Sequence, residues 1–228
     1  VDGYDSFFSF SQTKKGWSGV ATYARKGLTV EAEEGFGDDK FNDEASPVPS
    51  RVICAAHSTL LHPGRCVMTD HGKFILFNVY FPNGRDGERV EYKQSFHDTF
   101  RRRCNDLAKS GRHCIVTGDV NIAHEDADIW NPAVSPEKFA ASTGFLPSER
   151  QWITDLLNDG WVDAFRKFHP TREKAFTFWD MRTMKRPINQ GWRIDYFLVP
   201  KSLMDVVQDS DILPQVLGSD HCPLTLDL

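Results

Sequence analysis

"IVTGDVNIAHEDADIWNP", residues 115–132, decides how the rest of the chain is read. Ile115, Val116 and Thr117 are β-branched and favour a strand. The run then ends in Asp119, passes Val120 and presents Asn121, with His124 just beyond. A strand that only fills a core has no use for a carboxylate and an amide at its mouth. Either the segment is a polar turn closing a strand, or it is half of an active site. Side chains two apart on an extended segment point the same way, so Asp119 and Asn121 are expected to reach one cavity.

Working outward, strand-like runs recur in "GVATYARKGLTVEAEEG" (19–35), "GKFILFNVYFPNG" (72–84), "WRIDYFLVP" (192–200) and "CPLTLDL" (222–228). Pro82, Asn83 and Gly84 read as turn chemistry that stops the second of these. Two helical segments lie between strands. Residues 88–111 place Tyr92, Phe96, Phe100 and Leu107 at near-helical spacing, with Gly111 after the last turn. Residues 148–160 offer Ser148 as N-cap, Ile153, Leu156 and Leu157 on one side, and Gly160 as the stop. Interleaved helices and strands, with several strands joined by short turns, predict an α/β architecture of mixed sheets in one domain, residues 1–228. The acidic, Pro/Ser-rich stretch 37–50 reads as a surface loop.

With 40% hydrophobic and 26% charged residues in a chain of 228, the composition suits an ordinary globular domain. No run of about 20 apolar residues is present, so no membrane partner is expected. Val1 opens the chain without a secretory signal pattern, and the reading takes it as a fragment or processed form. Cys54, Cys66, Cys104, Cys114 and Cys222 form no CxxC pair and read as buried thiols in a reducing, intracellular setting. A net charge of −5 argues against attachment to nucleic acid by bulk positive charge. It leaves room for a local basic face and for a metal-dependent enzyme acting on phosphate.

Polar groups recur at the ends of strand-like runs. Asp195 sits between Ile194 and Tyr196, where a carboxylate is costly unless paired. Asp220 and His221 lie in "GSDHCP", between a Gly and a Pro. Tyr80 adds a phenol just before the "FPNG" turn. Carboxylate and amide oxygens suit a hard divalent cation such as Mg²⁺. An Asp–His pair can tune a proton acceptor or grip a phosphate oxygen, and an Asn can orient a water. The set suits metal-assisted attack of water on a phosphodiester. No GxSxG nucleophile points to acyl transfer. Each residue also has a structural reading: Asp119 as an Asx-turn acceptor, Asp195 as a partner of a core arginine such as Arg193, and Tyr80 as a packed aromatic.

"NVYFPNG", "GDVNIAHEDADIWNP", "GFLPSERQW", "AFTFWD", "GWRIDYFLVP" and "GSDHCP" occur in that order. The series resembles the exonuclease III class of apurinic/apyrimidinic endonucleases, within the endonuclease/exonuclease/phosphatase superfamily. The resemblance runs from about residue 16 to the end and is dense from residue 74. It implies a four-layer α/β sandwich of two mixed β-sheets flanked by helices. It assigns Asp119 to activating the attacking water and Asn121 to orienting it. It places Tyr80 beside the scissile phosphate, His221 on a phosphate oxygen, and Asp195 behind His221 as its orienting carboxylate. Asp220, with Asp119 and Asn121, is assigned to the metal, Mg²⁺ with Mn²⁺ as a substitute. Phe178, Trp192 and Ile194 match an apolar pocket for an extruded, baseless sugar; on residue type alone they read as core. Asn83 and Arg85 match positions that contact DNA backbone. Arg182, Lys185 and Arg186 form a basic loop just before the pocket, read as DNA-contacting or as a solvated surface.

The implied activity is a DNA repair hydrolase cutting 5′ to abasic sites, with possible 3′–5′ exonuclease or 3′ end-trimming activity. Its partner would be double-stranded DNA with abasic sites or blocked 3′ ends, and the enzyme a monomer, nuclear in a eukaryote. The family's N-terminal strand, with its Asn and its principal metal-binding Glu, has no counterpart in these residues. The expectation is therefore an edge left open, weak Mg²⁺ binding and an impaired chain. The alternatives are another superfamily phosphoesterase, either a non-specific nuclease or a phosphoinositide phosphatase, and a catalytically impaired DNA-binding fragment.

Overall fold

The computed structural model describes residues 1–11, 18–36, 64–84, 87–131, 133 and 135–228. Cys54, Arg85, His57, His62 and the acidic loop at 37–50 lie outside the described residues. The chain forms two units: residues 1–80 with 99–117, and residues 81–98 with 118–228. It passes between them three times, after residue 80, within one helix, α1 (Val90–Lys109), and within one strand, β6 (Cys114–Asp119).

In the first unit, β1 (Tyr4–Ser9) and β2 (Val20–Arg25) form an antiparallel ribbon. β3 (Glu31–Glu34), β4 (Cys66–Asp70), β5 (Ile75–Tyr80) and β6 follow in that lateral order, with β3–β4 and β4–β5 antiparallel. β5 alternates strictly: Ile75, Phe77 and Val79 are buried while Leu76, Asn78 and Tyr80 are half-buried. That period of two is the strand pattern expected of residues 72–84. Phe100 of α1 packs edge-on against Phe77 and Phe36, at 5.5 and 5.1 Å between ring centres. Cys66, Cys104 and Cys114 are buried free thiols here. Burial pushes Cys114 up to about 12, so it behaves as a small apolar residue, as the sequence suggested.

In the second unit, β7 (Trp161–Asp163) pairs antiparallel with β8 (Asp195–Pro200), and β9 (Asp209–Ile212) with β10 (Leu224–Asp227). Short helices α2 (Pro136–Ala140) and α4 (Ala164–Phe168) flank the longer α3 (Pro147–Asn158) in chain order. α3 buries Glu149, Trp152, Ile153 and Leu156, the i, i+3, i+4, i+7 stripe of an amphipathic helix. Gly160, at φ +105°, follows the helix as predicted. The start differs from the expected one. Pro147 occupies the first turn, Leu146 is the N-cap, and Ser148 lies inside the helix, its hydroxyl accepting from Gln94 Nε2. Glu149 reaches back over this start, accepting from the N–H of the N-cap Leu146 at 3.1 Å and, ahead of the helix, from that of Gly144 at 2.6 Å.

α1 likewise turns a different edge inward at its start. Tyr92 is exposed, and the buried line runs Lys93, Phe96, His97, Phe100, Cys104. Burial lowers the pKa of the Lys93 ammonium and Glu149 opposes that: the Lys93 Nζ donates to Glu149 at 2.6 Å and to the Asn121 carbonyl at 2.8 Å. Arg193 is also fully buried. It donates to both carboxylate oxygens of Asp128, at 2.8 and 2.9 Å, and to Asp163 at 2.6 Å. Asp195 is therefore not the partner of Arg193. No helix among the described residues is long and apolar enough to cross a membrane.

Candidate active site

The opening motif folds as a strand that ends in a tight turn. β6 delivers Asp119, and Phe81 N–H donates to the Asp119 carbonyl at 2.8 Å. Val120 N–H donates to the Ile194 carbonyl at 2.9 Å, which ties this turn to the "GWRIDYF" segment. The chain does not stay extended as far as Asn121. That residue has φ +55°, in the left-handed region that Asn tolerates better than most. Asp119 and Asn121 still meet, through this turn and not through strand periodicity. Asp119 Oδ1 accepts from Asn121 N–H at 2.8 Å and Oδ2 from Asn121 Nδ2 at 3.0 Å. Asn121 Nδ2 also donates to the Phe81 carbonyl at 2.9 Å. Asp119 is thus an Asx-turn acceptor, as its structural reading had it, and the same turn brings the Asn121 amide onto its carboxylate.

The second polar pair is Asp195 and His221. His221 Nδ1 lies 2.8 Å from Asp195 Oδ2, so the neutral ring carries its proton on Nδ1 and leaves Nε2 for other work. Thr177 supports this pair, its hydroxyl accepting from the N–H groups of Ile194 and Asp195 at 3.0 and 3.2 Å. The ring of Phe178 lies 4.9 Å from that of His221. Burial works against the imidazolium, but the bond and charge of Asp195, helped by Asp119 and Asp220, hold His221 up at about 9. Asp119 is pushed up to about 7, first by burial and then by the Asp195 charge. His221, the Asn121 N–H and Lys93 oppose that rise. These mutual effects place Asp119, Asp195 and His221 in one electrostatic field.

A cleft of about 530 Å³ opens beside them, lined by Asn121, Asp220, Arg182, Phe178, Trp192 and Ile194 among others. Phe178, Trp192 and Ile194 also pack on the buried cluster of Ala123, Ile129 and Phe145, so residues that wall the cleft are at the same time part of the core. Thr143 and Gly144 line the cleft as well and were missed; no local pattern in "ASTGF" marks them. Gly144 has φ +92°, and a Cβ there would lie 3.2 Å from the Asn121 carbonyl oxygen.

Asp220 is exposed, and its Oδ1 accepts from Ser219 Oγ at 3.2 Å. Its oxygens, like those of Asp119 and Asn121, are hard donors of the kind a divalent cation takes. Among the described residues no group of three His, Cys, Asp or Glu side chains is gathered to hold a metal ion. Tyr80 ends β5 in the first unit, where its carbonyl accepts from Arg65 Nη1 at 3.2 Å and its ring lies under that guanidinium. Asn83 is exposed beyond the buried Phe81 and Pro82. Arg182 is exposed and leans on Asp180, while Lys185 is half-buried in the same loop.

A profile of the endonuclease/exonuclease/phosphatase family matches residues 2–221. DNA-(apurinic or apyrimidinic site) endonuclease 2 of Schizosaccharomyces pombe is 37% identical over all of this chain and 47% of its own length. The Homo sapiens protein of the same name is 36% identical over 98% of the chain and 47% of its own. The chain thus spans about half the length of the curated relatives it matches. The crystal structure of the Xenopus laevis APE2 catalytic domain superposes with a TM-score of 0.78 at 32% identity, covering 98% of this chain and 75% of that one. The Leishmania major AP endonuclease LMAP gives 0.79 at 28% identity, covering 99% and 70%. These likenesses bear out the α/β sandwich class read from the sequence. Motif order, the profile match and the two superpositions agree: the chain belongs to the endonuclease/exonuclease/phosphatase family, in its apurinic/apyrimidinic endonuclease branch.

Proposed function

We propose that this chain forms the core of a DNA repair hydrolase that cuts the phosphodiester 5′ to an abasic site and leaves a 3′-hydroxyl, with trimming of blocked 3′ ends as a related reaction. The observation that carries this is the placement of two polar pairs, Asp119–Asn121 and Asp195–His221, beside a cleft walled by Phe178, Trp192 and Ile194. An extruded sugar without its base suits an apolar cleft, and a full nucleotide is discriminated against by size.

The chemistry follows from the charges. A carboxyl held up at about 7 is matched to accepting a proton near neutral pH, so Asp119 takes it from the attacking water. Asn121, fixed by its bond to the Phe81 carbonyl, holds that water. His221 is an imidazolium at neutral pH and donates from Nε2 to a phosphate oxygen, with Asp195 setting its ring. The oxygen donors of Asp119, Asn121 and Asp220 suit a hard divalent cation, Mg²⁺ with Mn²⁺ as a substitute. Such an ion would supply positive charge to the phosphate; as the water oxygen bonds phosphorus the P–O3′ bond breaks, and the leaving 3′ oxygen takes a proton from solvent. Tyr80 would add its phenol at the scissile phosphate. Asn83, Arg85, Arg182 and Lys185 would hold the DNA backbone of a monomeric enzyme.

The test uses the full-length protein with Mg²⁺ and a duplex carrying one synthetic abasic site, beside an intact duplex and an inositol phosphate. Selective incision 5′ to the lesion is the expected result. Equal cutting of the intact duplex, or a preference for the inositol phosphate, would overturn the assignment. Binding of the abasic duplex without any cutting would leave a DNA-binding protein.

A further inference from the structure

The loop at residues 180–190 carries basic residues that look alike in sequence, yet the structure uses them differently. Arg182 is exposed and bonds Asp180 of its own loop. Arg186 turns both terminal nitrogens onto backbone carbonyls of the segment that ends in His221. Its Nη1 donates to Ser219 at 2.7 Å and more weakly to His221 at 3.4 Å. Its Nη2 donates to Val216 at 2.7 Å and to Pro214 at 3.1 Å. The guanidinium lies 4.6 Å over the ring of the buried Trp179. Trp179 N–H in turn donates to the Asp220 carbonyl at 2.9 Å. The same stretch is also held by Val216 N–H to the Leu213 carbonyl, His221 N–H to Ser219 Oγ and Cys222 N–H to the Thr177 carbonyl, while Leu217 is exposed.

We infer that Arg186 is a positioning residue for His221, not a DNA contact. Its planar fork spans carbonyls from Pro214 to His221 and fixes where the 214–221 segment presents the imidazole. The geometry is specific to arginine. A lysine keeps the positive charge but is a single point with no fork, so it cannot bridge these acceptors while lying on Trp179. The charge-preserving variant Arg186→Lys therefore separates a clamp from a phosphate contact.

The first arm needs no activity. Amide hydrogen exchange of the full-length protein is followed in the peptide covering residues 213–222, for wild type, Arg186→Lys and Arg182→Lys. Exchange about tenfold faster in Arg186→Lys alone is expected, as a local opening made easier. Identical exchange in all three overturns the clamp. The second arm rests on the proposed hydrolase reading and measures steady-state cutting of the abasic duplex. Arg186→Lys should lower kcat about 10–100-fold, as misplaced positioning groups do, with KM within about twofold of wild type. A raised KM with kcat unchanged would make Arg186 a DNA contact and overturn the inference. If wild type itself does not cut, the hydrolase reading fails and the exchange arm alone decides the clamp.

Discussion

Arg193 and Asp195 are two residues apart on one segment, and the buried charges they belong to are managed in opposite ways. Around Arg193, every carboxylate is saturated with donors. Asp128 takes two bonds from Arg193 and one from Arg166, and Asp163 takes one from Arg193 and caps α4 through Arg166 N–H. Burial alone would raise Asp128, but Arg193 and then Arg166 hold it down at about 2. Among the described residues no arginine pairs with Asp195. Its partner is a histidine, and the neighbouring Asp119 is held up at about 7 by burial and by the charge of Asp195. The first arrangement locks its protons and serves the fold. The second leaves protons within reach of neutral pH, as the proposed hydrolysis requires.

The contrast yields measurable consequences, beginning with the largest. Asp119→Asn should lower kcat on the abasic duplex by about 10²–10⁴-fold, the worth of a positioned proton acceptor. Its melting temperature should match or exceed that of wild type, because a carboxyl disfavoured by burial has been removed; a large fall would mean that Asp119 serves the fold as Asp128 does. Arg193→Met should show the reverse, losing about 3–5 kcal/mol in urea unfolding because buried carboxylates are left unpaired.

The acid limb comes next. Asp128 is depressed in the fold, so its stabilisation is present above the unfolded value of about 3.9 and is lost as pH falls through about 2. That amounts to roughly 2–3 kcal/mol, read as the slope of stability between about pH 4 and 2. Asp119 has the opposite sign: raised in the fold, it costs stability as pH climbs from about 4 to 7, and Asp119→Asn should flatten that limb. Asp195→Asn should cost about 10–100-fold in kcat through a misoriented His221, with little change in KM. The smallest effect belongs to Ser148→Ala, expected within about 0.5 kcal/mol because Ser148 is not the N-cap of α3.

Local chemistry explains which parts were legible in the sequence. Strand alternation in residues 75–80, the glycine after α3 and the polar ends of "GDVN", "RID" and "SDH" depend on neighbours close in the chain, so their spacing carries them. The Asp195–His221 pair joins residues 26 apart, and it became readable only when two motifs were taken together. Lys93–Glu149, separated by 56 residues, left no trace. A lysine on an apolar helix face reads as surface until its acceptor is known, which is why Tyr92 was placed inward instead. The same limit hid the carbonyls that gather around Arg186 and the pocket role of Thr143 and Gly144.

The left-handed backbone at Asn121 changes how any scan of this region should be interpreted. Alanine at that position deletes the amide and also forces an ill-suited residue into a conformation worth about 1–3 kcal/mol of strain. Glycine deletes the same amide while accepting the geometry freely. The gap between Asn121→Ala and Asn121→Gly in melting temperature therefore measures the backbone contribution. What the glycine variant loses in turnover measures the side chain.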